Sequence, residues 1–225
     1  ELKSGTLGEE TYTNRIATYG EILSIPRQDI INDDLGALTA VPRRIGRAGM
    51  LKLNDLFWTV LLGAESSNFF AAGNNNLNTA AADVTTAGLN ETFRKFLAQT
   101  DPDGKPLGIL PKIMLVPPTQ HGAALALMNS QLVVTGASVT IPSGNPWQQR
   151  FTVETSPYME ISSYTGYSTT AWYLMADPQQ LPTIEIAALN GKVEPTVETA
   201  EADFHQLGIS MRGYSDVGVA LVEYR

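Results

Sequence analysis

The feature that most constrains the fold is an apolar stripe between Leu38 and Leu61 that recurs mostly every third or fourth residue. This spacing places the apolar side chains on one side of a helix, where a sheet or another helix can cover them. The pattern therefore predicts the longest helix of the chain, buried along one face. The stripe consists of Leu38, Val41, Ile45, Ala48, Leu53, Leu56, Phe57, Val60 and Leu61.

Residues with known capping preferences indicate where this helix begins and ends. Asp33 and Asp34 can accept hydrogen bonds from the free amides of a first turn, and Gly63 suits a left-handed stop. Pro42 donates no hydrogen bond and clashes with the carbonyl four residues earlier. We therefore expect a short helical turn over 34–40 and a main helix that begins near Pro42, where a first turn tolerates proline.

The polar side of the predicted helix carries the densest positive charge of an acidic chain, whose formal charge is −8. A solvated helix face, an ion-pair network with acidic residues of a second subunit such as those at 194–203, and weak contact with DNA all fit this charge. The negative total argues against a dedicated nucleic-acid binder, and with no further information a solvated helix face is the favoured interpretation. The basic residues are Arg43, Arg44, Arg47 and Lys52, and the acidic ones are Glu194, Glu198, Glu201 and Asp203.

Composition and motifs predict no catalytic, cofactor or metal residues. The absence of cysteine excludes disulfides, thiolate metal sites and cysteine nucleophiles. His121 and His205 are widely separated and no G-x-S-x-G motif occurs, so neither a serine triad nor a zinc site is indicated. The acidic clusters at 32–34 and 101–104 lack the ligand spacing of a calcium loop and indicate a cap and a turn. No apolar run is long enough to span a membrane.

The rest of the chain alternates helix and strand signals. We expect a helix over 89–98 capped by Asn90, a buried strand over 109–116, and a helix from Thr119 to about Asn129 with Leu125 and Met128 inward. Short strands follow at 132–134, 138–141, 151–154, 159–161, 169–175, 183–189 and 193–198. The last two strands, 207–211 and 217–224, are expected to form a hairpin joined by a turn over 213–216.

Two adjacent segments carry a resemblance to a known family. They read TYGEILSIPRQDIINDDLGA over 18–37 and continue as Val41-Pro42-Arg43 and Gly46-Arg47-Ala48. This stretch resembles the major head subunit of Mu-like phages and prophages, and the rest of the chain is similar only in general layout.

The resemblance implies the tailed-phage major capsid fold, an α+β architecture. A long spine helix would pack on an antiparallel sheet in a peripheral domain formed by 33–63 and 183–225. An inserted α/β axial domain would occupy 64–182, and residues 1–32 would form an extended N-terminal β-hairpin arm. That arm holds too few apolar residues to form a core, so we expect a neighbouring subunit to cover it.

The resemblance also implies a structural function rather than an enzyme. Such a subunit self-assembles through pentamers and hexamers into an icosahedral shell around the genome, in a virion produced in the bacterial cytoplasm. Scaffold, maturation protease, portal and decoration proteins are the expected partners, and the start at Glu1 fits removal of a scaffolding segment by the protease, or a cloning boundary. The inter-subunit contacts would include arm residues Tyr12, Arg15, Tyr19 and Ile22 and the basic helix residues.

Two alternatives remain open at this point. One is the shell protein of an encapsulin-like nanocompartment, which would enclose an enzyme rather than a genome. The other is a monomeric α+β hydrolase or binding module.

Overall fold

The computed structural model describes residues 11–32, 37–80, 83–133, 143–201 and 207–225. It mixes helices with strands, so the predicted combination of α and β is confirmed. The helices are α1 (Arg27–Ile31), α2 (Ala37–Leu62), α3 (Thr86–Leu97) and α4 (Pro118–Asn129). The strands are β1 (Ala17–Pro26), β2 (Pro111–Val116), β3 (Leu132–Val133), β4 (Ser143–Gly144), β5 (Thr152–Thr155), β6 (Tyr173–Ala176), β7 (Ile184–Ala188), β8 (Thr196–Glu201) and β9 (Gly208–Leu221).

The chain folds into two units. The first unit combines Thr13–Phe57 with Glu185–Ala220, so that it draws on both ends of the chain. The second unit contains Trp58–Ile184 and Leu221–Arg225, together with the described residues that precede Thr13.

The first unit is built around β9. On one side β9 pairs antiparallel with β1, from Ala17 opposite Val217 to Pro26 opposite Gly208. It also pairs with β7 and, antiparallel, with β8, where Thr196 lies opposite Tyr214. The predicted hairpin over 207–224 is therefore wrong, because residues 213–216 continue one strand instead of turning.

Helix α2 explains why β9 contains a glycine at this place. A Cβ built on Gly213 would lie 2.0 Å from Cγ2 of the buried Ile45, and one built on Gly49 would lie 2.7 Å from Cγ of Pro195. Both glycines thus allow the helix to approach the sheet closely. Gly213 serves packing and not a turn.

Helix α2 differs from the prediction at both ends. It runs unbroken through Pro42, its sixth residue, so the expected break there is wrong. The proline costs about 3 kcal/mol, but burial of an aliphatic side chain contributes roughly 1.5–3 kcal/mol, and Ile45, Leu53 and Leu61 are all buried. Gly63 follows the last helical residue as expected, yet its amide bonds Thr59 at 3.1 Å without a left-handed φ.

The second unit has a three-stranded sheet in the order β5-β2-β6. Strand β2 is parallel to β5 and antiparallel to β6, and α4 lies in the connection from β2 to β5. A parallel pair needs such a crossover. The core that this unit encloses consists of Val84, Leu89, Met114, Val116, Ala124, Leu127, Met128, Trp147 and Phe151.

Several local expectations in the second unit are corrected. Helix α3 is capped by Thr85, whose side chain accepts from the amide of Gly88, and not by Asn90. Helix α4 starts at Pro118 rather than Thr119, and the amide of Thr119 donates to Glu160 Oε1 at 2.7 Å, so a distant carboxylate caps this end. Residues 157–160 form a 3₁₀ turn rather than a strand, and Leu125 is exposed while Met128 is buried as expected.

The N-terminal segment also differs from the expected hairpin arm. Within its described part, residues 17–26 form the single strand β1 paired with β9 of the same chain, and α1 follows directly. The expected caps Asp33 and Asp34 and the strand at 138–141 lie outside the described residues.

Candidate functional site

Strand β1 is exposed on both faces, which is unusual for a strand of ten residues. Of these residues only Ile25 is buried and Tyr19 is half-buried. Alternate side chains of a strand point to opposite faces, and normally one face packs on a core. In addition, β1 ends the sheet order, so among the described strands its second edge carries no partner. Such an edge is a template for contact with another chain.

The four predicted arm residues have different environments. The hydroxyl of Tyr12 donates to Glu223 Oε2 at 2.7 Å. Arg15 is exposed just before β1 and makes no ion pair with a described residue. Tyr19 lies beneath Lys52, whose Nζ is 5.9 Å from the ring centroid, and Ile22 is 71% exposed.

The basic helix residues do not form one face. Arg43, Arg44 and Arg47 are exposed, and none of them forms an ion pair within the described part of the chain. Lys52 follows Arg43 by nine residues, which at 3.6 residues per turn is a rotation of about 180°. It therefore lies on the side that faces the sheet, and its Nζ pairs with Asp55 at 2.7 Å. Lys52 is thus separated on the helix from Arg43 and Arg47, although its side chain is 46% exposed.

The acidic stretch at 194–203 was expected to pair with those arginines. One of its carboxylates already forms contacts within its own sheet. Glu198 pairs with Arg212 at 2.6 Å and accepts from the hydroxyl of Tyr214 at 3.2 Å. These hydrogen bonds, first that of Arg212, hold the pKa of Glu198 below its ordinary value, and the same carboxylate raises the pKa of Tyr214. Glu194 is exposed, whereas the side chain of Glu201 and all of Asp203 lie outside the described residues.

The exposure of two apolar residues of α2 was not predicted from the sequence. Met50 is 45% exposed and Leu51 50% exposed. At 100° per residue both lie within roughly 80° of Arg43, hence on the side opposite Ile45. The sequence held a signal for this, because both positions fall outside the apolar stripe.

The described residues contain no cluster of three or more histidines or carboxylates placed to hold a metal. His121 Nδ1 lies 2.6 Å from Thr155 Oγ1 at the start of α4, and His205 falls outside the description. The 101–104 segment is a turn, as expected, in which Asp101 accepts from the amide of Lys105 and Gly104 has a φ of +80°. Among the helices described, none is long and apolar enough to cross a membrane.

The second unit contains a partly open pocket of about 340 Å³ between α3 and β6. Burial, together with the nearby Glu65 carboxylate, raises the pKa of Tyr173 in its wall to about 12. Of the charged side chains in its wall, Lys95 donates to the carbonyl oxygen of Leu77 and Arg225 pairs with Glu223. Phe70, Lys95, Phe96, Trp172 and Tyr224 also line this pocket.

Comparisons with known proteins give a consistent result. A family model described as phage capsid protein matches residues 9–225. The fold is similar to the capsid of Ralstonia phage GP4, with 11% identity and a TM-score of 0.55 over 93% of this chain and 70% of that chain. It is also similar to the capsid asymmetric unit of cyanophage Pam1, with 14% identity and a TM-score of 0.54 over 98% and 76% of the two chains. The capsid of cyanophage P-SCSP1u gives 15% identity and a TM-score of 0.52 over 99% and 78%.

At such identities the structures establish the fold alone. The chain spans between 66% and 76% of the length of the first solved chains it matches. No curated protein matches the sequence.

Proposed function

We propose that this chain, which belongs to the phage capsid protein family, is the major head subunit of a tailed phage or prophage and assembles into its icosahedral shell. The family match over 9–225 carries this proposal. The chain is a structural capsid protein, and the finer assignment to the Mu-like group rests on the segments at 18–37 and 41–48.

The proposed domains differ from the two units at their edges, because 58–63 and Leu221–Arg225 belong to the second unit. In this proposal 33–63 and 183–225 form the peripheral domain with α2 as its spine helix, and 64–182 form the axial domain. Residues 1–32 act as the arm, with β1 as its ordered part.

The exposure of β1 on both faces supports the arm proposal. A strand that buries almost nothing in its own chain gains little stability there, whereas a neighbour that covers it removes Ile22 and Leu23 from water. A standard interface buries roughly 800 Å² per partner, and an arm of this length supplies a comparable area. Tyr12 and Tyr19 are held by Glu223 and Lys52 of their own chain, so they would shape the arm, while Arg15 and Ile22 would touch the neighbour.

The proposed partners follow from this role. Copies of the chain form pentamers and hexamers in the host cytoplasm, with scaffold, maturation protease, portal and decoration proteins, and the product is the virion. We assign the arginines of α2 to subunit pairing rather than to packaged DNA, because the chain is acidic, with a formal charge of −8.

Assembly of the purified chain tests the function. We expect closed particles by negative-stain microscopy, with nucleic acid protected from nuclease when they come from infected or induced cells. A chain without residues 1–20 is expected to stay folded by circular dichroism but to form no closed shells. Shells of normal size from this truncation would refute the role of the arm, and wild-type particles that hold a cargo protein instead of nucleic acid would refute the phage function in favour of a nanocompartment.

A point variant gives a cleaner test, because the truncation also removes four residues of β1. Ile22→Ser leaves the β1–β9 ladder intact and removes one exposed apolar side chain. Leu189→Ser is the matched control, since Leu189 is 52% exposed in the same unit. We expect loss of shells for Ile22→Ser only.

A further inference from the structure

The pocket between α3 and β6 has walls that suit a small organic molecule. Its volume of about 340 Å³ lies within the range of ligand sites in proteins. The described residues that line it all belong to the second unit, so one compact part of the chain forms the site. Much of the wall is aromatic, and the aromatic residues are Phe70, Phe96, Trp172, Tyr173 and Tyr224. Aromatic faces bind apolar groups and, through their negative π-surface, also cations.

The charged groups in the wall are not equally available to a ligand. Arg225 pairs with Glu223 at 3.2 Å, and Lys95 Nζ donates to the carbonyl oxygen of Leu77 at 2.6 Å. The carboxylate of Glu65, by contrast, is exposed and takes part in no hydrogen bond or ion pair with a described residue. A ligand that enters the pocket therefore meets a negative charge that is not yet paired.

This carboxylate acts on one of the aromatic rings. Burial first, and then the Glu65 carboxylate, raise the pKa of Tyr173 to about 12. The ring centroid of Phe70 lies 5.3 Å from that of Tyr173, and the two ring planes are inclined by 40°. Two tilted rings beside a carboxylate suit an ammonium group, because the rings attract a cation and the carboxylate accepts a charge-assisted hydrogen bond.

We infer that this pocket binds a small organic amine with one positive charge and an apolar body. The ammonium group of the ligand lies against Phe70 and Tyr173 and pairs with Glu65, while its body packs toward Phe96 and Trp172. The inference goes beyond the proposed function, and neither depends on the other.

The cations of the wall determine how much charge the ligand carries. The guanidinium of Arg225 is offset by Glu223, whereas Lys95 has only a neutral carbonyl as its described partner. A diamine would bring its second ammonium group toward Lys95, and like charges repel. An acid would be repelled by Glu65 in the same way. One positive charge is therefore favoured over two, and over a negative charge.

Binding of small probes to the full chain tests the inference. Saturation-transfer difference NMR measures weak binding to the free chain and to shells alike. Phenethylammonium, phenethyl alcohol and hydrocinnamate are similar in their apolar body and differ in the charge of the polar end. We expect the ammonium compound to bind about tenfold more tightly than the alcohol, and hydrocinnamate to bind least. Butylammonium is expected to bind more tightly than the diamine putrescine.

Glu65→Gln separates charge from shape. It is expected to weaken phenethylammonium by about three- to tenfold, because the pair is partly exposed to solvent. Binding of phenethyl alcohol should stay unchanged, which also shows that the variant keeps its pocket. Glu154→Gln is the matched control, since Glu154 is an exposed carboxylate of the same unit that does not line the pocket. It should bind every probe as the wild type does.

A preference for phenethylammonium that is lost in Glu65→Gln and kept in Glu154→Gln supports the inference. Equal binding of the three probes, binding of none of them, or the same preference in both variants overturns it. Tighter binding of hydrocinnamate, or of putrescine than of butylammonium, also overturns it. Each of these results leaves the proposed function standing, because shell formation and shell contents test that function separately.

Discussion

Replacement of Gly213 by alanine tests the close packing that organises the first unit. A Cβ at this position would lie 2.0 Å from Cγ2 of Ile45, so the helix or the isoleucine must move. Overpacking of this kind costs about 1–3 kcal/mol, and the smaller freedom of the unfolded chain offsets about 0.4–1 kcal/mol. We expect the free energy of unfolding to fall by roughly 1–2 kcal/mol.

A double-mutant cycle identifies the cause. Ile45→Ala alone should cost about 2–5 kcal/mol, because Ile45 is buried. In the double variant the methyl group of alanine at 213 occupies space that Ile45 has vacated. The double variant should therefore lose less stability than the sum of the two single losses, by about 0.5–3 kcal/mol. Urea unfolding followed by far-UV circular dichroism measures all four free energies.

Gly122→Ala is the matched control. Gly122 lies inside α4, and a Cβ there would meet nothing within 4 Å. Alanine should raise stability by about 0.5–1 kcal/mol. If Gly213→Ala does not change stability, or if it costs as much in the Ile45→Ala variant as in the wild type, the close approach of α2 is not the reason for a glycine at position 213.

Three further predictions concern single side chains. Lys52→Gln removes an exposed ion pair with Asp55 and the ammonium group over the Tyr19 ring, each worth about 1 kcal/mol or less. Stability should therefore fall by less than about 2 kcal/mol in urea unfolding, and particle yield by light scattering should stay constant; lost particles would return Lys52 to the contact surface. Burial raises the pKa of Tyr173 to about 12 from 10.0, so the folded chain keeps its phenol protonated while the unfolded chain ionises. Stability should therefore fall between pH 10 and 12 by up to about 2.7 kcal/mol, and a denaturation series on Tyr173→Phe should show a smaller fall, since the raised pKa of Tyr214 remains. Thr85→Ala should lower the stability of the chain by about 1 kcal/mol in thermal melts, whereas Asn90→Ala should not; the reverse order would contradict the observed cap.

Features that depend on local sequence were predictable. The long helix predicted from the apolar stripe and the position of Gly63 after its last residue are set by neighbours along the helix, and the structure contains both. Ala48 of the stripe is exposed rather than buried. The mixture of helices and strands followed in the same way. The family resemblance came from the contiguous segment at 18–37, and it is supported as far as a phage capsid protein.

Features that depend on distant residues were not predictable. In the sequence alone Gly213 resembles a turn glycine. The structure shows that it lies inside the continuous strand β9, where Ile45 packs against it. The N-cap of α4 comes from Glu160, which lies 41 residues away from Thr119 along the chain. No local pattern encodes either contact.

The residues proposed for subunit contact show the same difference between what local sequence and what distant contacts determine. The sequence determined that positive charge gathers on α2 and that the N-terminal segment lacks apolar residues for a core. Only the tertiary structure decided that Lys52 faces its own sheet, that Glu198 is taken by Arg212, and that Ile22 is left exposed. The physical reason is that charge and hydropathy are properties of single residues, whereas which of them remain unpaired depends on every neighbour that the fold brings within a few ångströms.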